Sequence, residues 1–360
     1  MTSRDKTDYP KKIRAYSIVQ PLGRGGMGEV LLAVHAELER PVALKRFAPP
    51  ADLKGAEAAR ERFLREGKAL ARLRHQGIVG VHDLFEHRGE LFLVLEYVDG
   101  LDLGSLLGRG PLPLDVACLV GLGLAEALDH AHFHSVLHRD LKAGNVMISR
   151  SGQVKLMDFG IARGEALARV TQTGILVGTP KYIAPEVLTE QEHSVHSDIY
   201  GLGAVLYHCL TGRRLFHGLA QRELYRAILA GRFEPLGKLA PQTPRPLRKM
   251  VERCLAREPQ RRFGSVAELQ CELDLYLAEA GIWGSRSERL ARFMRRVDEL
   301  GADQTMDSIE IDFDLPRGGR WPRRLLWAAV VLLAMGLGAF FLWGALQLGW
   351  LDPVLSALGD

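Results

Sequence analysis

Cysteine is scarce in this sequence. Four are spread through 360 residues, Cys118, Cys209, Cys254 and Cys271, and no two form a Cys-x-x-Cys pair, so neither a zinc site nor a redox couple is indicated. Their apolar, helix-like surroundings mark them as buried free thiols in a reducing compartment. A secretory signal is also missing, because MTSRDKTDYPKKIRAYSIV is polar and has no apolar core. Internal repeats are absent, which argues against a solenoid. Nor is there an excess of one charge sign: 47 basic and 43 acidic residues leave a formal charge of +4, a balance that gives no reason to expect a nucleic-acid partner. What is present is 47% hydrophobic and 25% charged residues, enough for a large core in one two-part domain or two ordinary ones.

The first part of the chain is written in short runs rich in Val, Leu and Phe. AYSIV, EVLLAVH, PVALKRF and ELFLVLEYV are separated by Gly, Pro and charged breakers, as in an antiparallel sheet. Residues 56–73 interrupt them with Phe63, Leu70 and Leu73 at helical spacing. After Gly100 the balance reverses, and 114–134, 198–211, 223–230, 247–256 and 266–280 read as helices. The expectation is an α+β fold with a small lobe at 16–98, preceded by an N-terminal segment 1–15, and a larger helical lobe at 99–280. Residues 281–324 turn polar, with a basic amphipathic piece (SERLARFMRRV) before an acidic stretch (DSIEIDFD), and are expected to be a linker.

Leu325 to Leu346 carries no charge and has the length of about 20 residues that crosses hydrocarbon as a helix. A buried core helix would also be apolar, but this run is apolar all round and bordered by Trp321, Trp327, Trp343 and Trp350, as interfacial anchors would be. Arg317, Arg320, Arg323 and Arg324 precede it. The positive flank predicts a single-pass inner-membrane topology with residues 1–324 in the cytoplasm. The tail 347–360 is too short to fold alone, so the span is expected to be a passive anchor rather than a receptor for an external ligand.

Gly23-Arg24-Gly25-Gly26-Met27-Gly28 lies between two strand-like runs. A strand-to-helix setting would suggest a dinucleotide site, whereas a hairpin lets backbone amides fold over a triphosphate. Taken alone, a glycine turn without a ligand explains it as well. Further along, in order, come Val42-Ala43-Leu44-Lys45, Glu66, His138-Arg139-Asp140-Leu141-Lys142-Ala143-Gly144-Asn145, Asp158-Phe159-Gly160 and Ala184-Pro185-Glu186. From about Tyr16 to Ala280 the sequence resembles the eukaryotic-type (Hanks-type) Ser/Thr protein kinase family, and its layout is similar to that of bacterial membrane-anchored members.

The resemblance implies a two-lobed fold and the transfer of the γ-phosphoryl group of Mg-ATP to protein Ser or Thr hydroxyls. Lys45, paired with Glu66, would bind the α- and β-phosphates. Asp140 would take the substrate proton, with Lys142 near the γ-phosphate as in Ser/Thr-directed members. Asp158 and Asn145 would hold Mg²⁺, or Mn²⁺ in its place. Leu22, Gly23, Gly25 and Gly28 would cover the nucleotide. Val30 and Ala43 would lie above the adenine, Met147 below it and Leu95 at its back. Glu96 and Val98 would offer backbone hydrogen bonds, and Asp102 would meet the ribose. For Val30, Ala43 and Met147, plain core packing explains the residues nearly as well.

Glu186 with Arg262, and Asp198, match an ion pair and a catalytic-loop brace of the family. Arg139 and Arg163 would form a cationic pocket for a phosphate on Thr171 or Thr173, placed there by one copy acting on another. Thr179 is assigned to the substrate floor. The expected partners are protein substrates, a second copy of the chain and, through one helix, the membrane. A pseudokinase scaffold and a small-molecule kinase are the competing classes. Departures from the family pattern are confined to Glu258, where Asp is commoner, and Met157 before Asp158.

Overall fold

The computed structural model describes residues 10–25, 28–48, 53–160, 182–189, 192–282 and 284–300. The expected span 325–346, the tail 347–360, residues 301–324, and 161–181 with Arg163, Thr171, Thr173 and Thr179 lie outside them. Among the described residues no helix is long and apolar enough to cross a membrane.

Strands β1 (Lys12–Ile13), β2 (Tyr16–Gly25), β3 (Gly28–His35), β4 (Arg40–Phe47), β5 (Val81–His87) and β6 (Glu90–Glu96) form an antiparallel sheet ordered β1-β2-β3-β4-β6-β5. The two-residue period of a strand divides its side chains between faces. On β4, Val42 and Leu44 join Leu31, Ala33, Phe92 and Val94 in one apolar cluster. Lys45 and Phe47 lie on the opposite face, where Phe47 packs with Phe63, Leu91 and Leu93. Phe63 belongs to α1 (Leu53–Leu70), and this packing holds the helix across the sheet. Glu66 follows Phe63 by about one turn and so projects toward the strand that carries Lys45.

The second lobe is built on α3 (Leu114–Phe133) and α5 (Val195–Thr211), both buried almost all round, as their near-continuous apolar content requires. Between the lobes β7 (Gly100–Asp102), β8 (Val146–Ser149) and β9 (Val154–Leu156) make a small sheet, and α2 (Leu103–Leu107) follows β7 directly. Helices α4 (Pro185–Thr189), α6 (Gln221–Ala230), α7 (Leu236–Leu239), α8 (Arg245–Cys254) and α9 (Val266–Glu279) complete the lobe. The expected two-lobed fold is present, with helix ends moved by a few residues.

Two expectations change. Cys118, Cys209 and Cys254 are buried, but Cys271 is exposed on α9, where it falls on the solvent side of the helix. The stretch expected to be a linker from residue 281 begins with a docked helix, α10 (Arg286–Glu299). Leu290, Phe293, Met294 and Val297 are buried along one stripe, the i, i+3, i+4, i+7 spacing of an amphipathic helix. Arg286 bridges Glu126 of α3 and Asp274 of α9, and Arg150 in the β8–β9 turn bridges Asp298 of α10 and Asp99. Gly152, with φ of +81°, lets the helix backbone approach so closely that a Cβ there would lie 1.8 Å from the Ser287 carbonyl oxygen. The amphipathic pattern of SERLARFMRRV is visible in the bare sequence, but the surface its apolar stripe covers is not.

Candidate active site

Lys45 is almost fully buried, and its Nζ lies 2.7 Å from Asp158 Oδ1 and 3.7 Å from Glu66 Oε1. Burial pushes the amine down, but the two carboxylates outweigh it and hold Lys45 above its ordinary value. Glu66 is raised, because burial exceeds the opposing pull of Lys45. Asp158, although its side chain remains partly exposed, is pushed up by desolvation, but Lys45 outweighs this and holds it below the usual carboxylate range. The site therefore presents a fixed ammonium beside an ionised carboxylate. Asp158 takes a φ of +54°, a left-handed backbone that L-residues rarely adopt.

The catalytic-loop candidates meet at the same place. Lys142 Nζ donates to Asp140 Oδ2 at 2.8 Å. Asn145 Nδ2 donates to the Asp140 carbonyl at 2.8 Å and to its Oδ2 at 3.2 Å. With that amide nitrogen committed to oxygen acceptors, Asn145 presents Oδ1 as a hard ligand near Asp158, the donor chemistry magnesium prefers. The Asn145 amide is also 3.5 Å from the Asp158 carbonyl, which ties the two segments together.

Asp198 braces the loop from below. Its carboxylate accepts the main-chain N–H of His138 at 2.8 Å and of Arg139 at 3.0 Å. Burial would raise it, but His132, 2.8 Å away, and His138 hold it below the ordinary range. Arg139 has a φ of +64°, and its buried Nε has no partner among the described residues. Deeper in the lobe, Arg262 donates two hydrogen bonds to Glu186, at 2.7 and 2.8 Å, both groups buried.

The nucleotide-binding candidates fall on strands inside the two sheets. Val30 pairs with Lys45, Ala43 with Leu95, and Met147 with Asp102. Leu95 also lines the small cavity behind Lys45 and Asp158. Gly23 has open space where a side chain would start, and Leu22 is well exposed. Gly28, with φ of +139°, sits against the Arg46 carbonyl, where a Cβ would come within 1.8 Å. Val98 is buried.

Two candidates carry duties that sequence reasoning did not foresee. Asp102 N-caps α2, accepting from Ser105 N at 2.9 Å and Ser105 Oγ at 2.5 Å. The Glu96 side chain accepts the Gly80 N–H and pairs with Lys155 at 2.6 Å, while its own N–H is donated to the Gly80 carbonyl. His132 was missed altogether. Four histidines between His130 and His138 offered no way to single it out before the fold placed it beside Asp198.

The family described as "Protein kinase domain" matches residues 16–272. The chain belongs to this family. It is 38% identical over 255 residues to serine/threonine-protein kinase PknH of Mycobacterium tuberculosis, covering 71% of this chain and 40% of the relative. It is 34% identical over 260 residues to the probable serine/threonine-protein kinase PknB of Lactococcus lactis, covering 72% and 41%. The chain thus spans about two fifths of the length of these curated relatives. Among solved structures, the kinase domain of M. tuberculosis PknI superposes with a TM-score of 0.58 at 30% identity, covering 73% of this chain and 96% of that one. Rad53 in complex with AMP-PNP gives 0.60 at 25% identity, covering 71% and 64%. Helix α10 lies beyond the matched family region.

Proposed function

We propose that the chain is a serine/threonine protein kinase that moves the γ-phosphoryl group of Mg-ATP onto protein hydroxyls while tethered to the cytoplasmic face of a membrane. The observation that carries the activity is the convergence of Lys45, Asp158, Asn145, Asp140 and Lys142. Phosphoryl transfer needs positioning and charge neutralisation more than covalent chemistry. Lys45, held by Glu66 and Asp158, would fix the α- and β-phosphates. Lys142 would neutralise charge on the moving phosphoryl, and Asp140 would orient the substrate hydroxyl and accept its proton. Asp158 and Asn145 would hold magnesium, which supplies neutralisation of the phosphate charge when bound. ATP as the nucleotide is supported by the AMP-PNP complex of Rad53.

The tether rests on the uncharged run Leu325–Leu346 and the arginines before it. Restriction to two dimensions would favour encounters between copies, so that one acts on Thr171 or Thr173 of another. The full-length chain incubated with ATP, Mg²⁺ and a generic protein substrate should yield phosphoserine or phosphothreonine on both proteins. Incorporation that persists undiminished in Asp140→Asn would overturn the assignment. Carbonate-resistant membrane association, lost on removing 325–360, tests the tether.

A further inference from the structure

We propose that His75 is a positioning residue for Asp158, holding the turn 75–79 against β9 while its ring is neutral and releasing it when the ring is protonated. The inference rests on the reading of Asp158 as a metal-holding residue and adds a pH-sensitive support to it.

His75 lies between α1, which carries Glu66, and β5. Its Nδ1 accepts the main-chain N–H of Gly77 at 3.0 Å, and its carbonyl accepts the N–H of Ile78 at 3.0 Å. A side chain that accepts the N–H two residues on closes the backbone as an Asx turn does. The turn is pressed against α3, for a Cβ on Gly77 would lie 3.1 Å from His75 Nδ1 and 3.3 Å from the Ala127 Cβ. Closed in this way, it clasps the end of β9. The Leu156 N–H is donated to the Gly77 carbonyl at 2.8 Å, and the Val79 N–H to the Leu156 carbonyl at 2.9 Å. Met157 then donates its N–H to the Asn145 carbonyl at 2.9 Å, and the next residue is Asp158. A main-chain path therefore runs from the imidazole to the two residues assigned to magnesium.

The ring has like neighbours. It stacks on His130 with centroids 5.0 Å apart, and His130 meets His134 edge-on at 4.7 Å. His130 Nε2 is buried and has no partner among the described residues. Burial, then His130, pushes His75 below its ordinary value; burial, then His134, does the same to His130. The acids that face the pair are Glu126 and Asp129 of α3, and Glu126 is taken by Arg286 of α10. Lys155 of β9, itself paired with Glu96, adds a positive charge. On its open side His75 borders a cavity of about 500 Å³ shared with Arg74, His82 and Glu96, which gives solvent protons access to the ring. A protonated Nδ1 has no lone pair left for the Gly77 N–H. Acid thus removes the acceptor that closes the turn and places a charge beside two histidines and a lysine.

The test uses the full-length chain with one protein substrate, reading kcat and KM between pH 5 and pH 8 beside hydrogen exchange at the Gly77 and Leu156 amides. As the pH falls below 6.5, the ordinary histidine value, the wild type should lose kcat with little change in KM for the protein substrate. Both amides should exchange about fivefold faster than the intrinsic pH dependence allows, the scale of one lost hydrogen bond. His75→Asn keeps an acceptor for the Gly77 N–H without a titrating ring, so it should match the wild type near pH 8 and flatten both acid effects. His75→Leu, which has no acceptor, should show the faster exchange at every pH. His130→Phe keeps a stacked ring but removes the like charge that opposes protonation, so the transition should move to higher pH. An acid loss of kcat as large in His75→Asn as in the wild type overturns the proposal. So does wild-type exchange that follows the intrinsic pH dependence alone, or a transition that His130→Phe leaves in place. A wild type inactive at every pH defeats the kinase reading instead, while the exchange rates still decide whether His75 holds the turn.

Discussion

At the scale of single residues, the site depends on charges buried where water cannot rebuild them. Lys45→Met and Asp140→Asn should each lower phosphoryl transfer by at least about a hundredfold while leaving the thermal unfolding transition in place, since neither side chain packs in an apolar cluster. Autophosphorylation followed beside circular dichroism separates the two effects. Acid sensitivity is a second consequence. His208 is held near 4 against an ordinary 6.5, so between those values the unfolded chain takes up a proton that the folded one refuses, and stability falls as the pH drops through that window. The urea midpoint should be lower at pH 5 than at pH 7, and His208→Asn should flatten the difference. An equal pH slope in the variant would show that other groups set it. These residues were unequally legible beforehand. Lys45, Asp140, Asn145 and Asp158 could be read from sequence because their motifs stand in the order of the kinase family they resemble and their types suit phosphoryl transfer. His132 could not, because its role arises only when α3, α5 and the catalytic loop meet in space.

At the scale of elements, the strand-like run PVALKRF and the helical spacing of Phe63, Leu70 and Leu73 were legible beforehand, while the shared face of Lys45 and Phe47 and the reach of Glu66 toward it came with the packing of α1 on the sheet. Helix α10 was legible as an amphipathic piece but not as a docked one. Its apolar stripe predicts that Phe293→Ala, which removes a fully buried ring, costs about 3 kcal/mol of stability. A denaturation midpoint unchanged from wild type would mean that the helix is not docked in solution. The segment 164–178 carries a prediction of a different kind. The buried Arg139 Nε without a described partner suits a phosphate on Thr171 or Thr173, which would order the segment. Thr171→Ala with Thr173→Ala should therefore lower activity and increase proteolysis between Arg163 and Gly178. Activity and cleavage both matching wild type would remove those threonines from regulation.

At the scale of the whole molecule, the question is how far the catalytic cleft can travel from its proposed anchor. Arg286 and Arg150 bind α10 to the kinase lobe on both flanks, so the stretch of sequence between the docked helix and the proposed span is 301–324. Fully extended, that length reaches on the order of 80 Å. Undocking α10 would free residues 281–324 and nearly double the leash. The volume one kinase sweeps would then grow several-fold, and the rate at which it meets a neighbouring copy would fall in proportion. Replacing Leu325–Leu346 with an unrelated membrane helix should preserve autophosphorylation in membranes, because only tethering is asked of that segment. Phe293→Ala combined with Arg286→Glu, which loosens both the buried stripe of α10 and its flanking ion pairs without touching the cleft, should slow autophosphorylation at low surface density and spare phosphorylation of a soluble peptide. The seating of one amphipathic helix would in that way set the radius of a signalling territory.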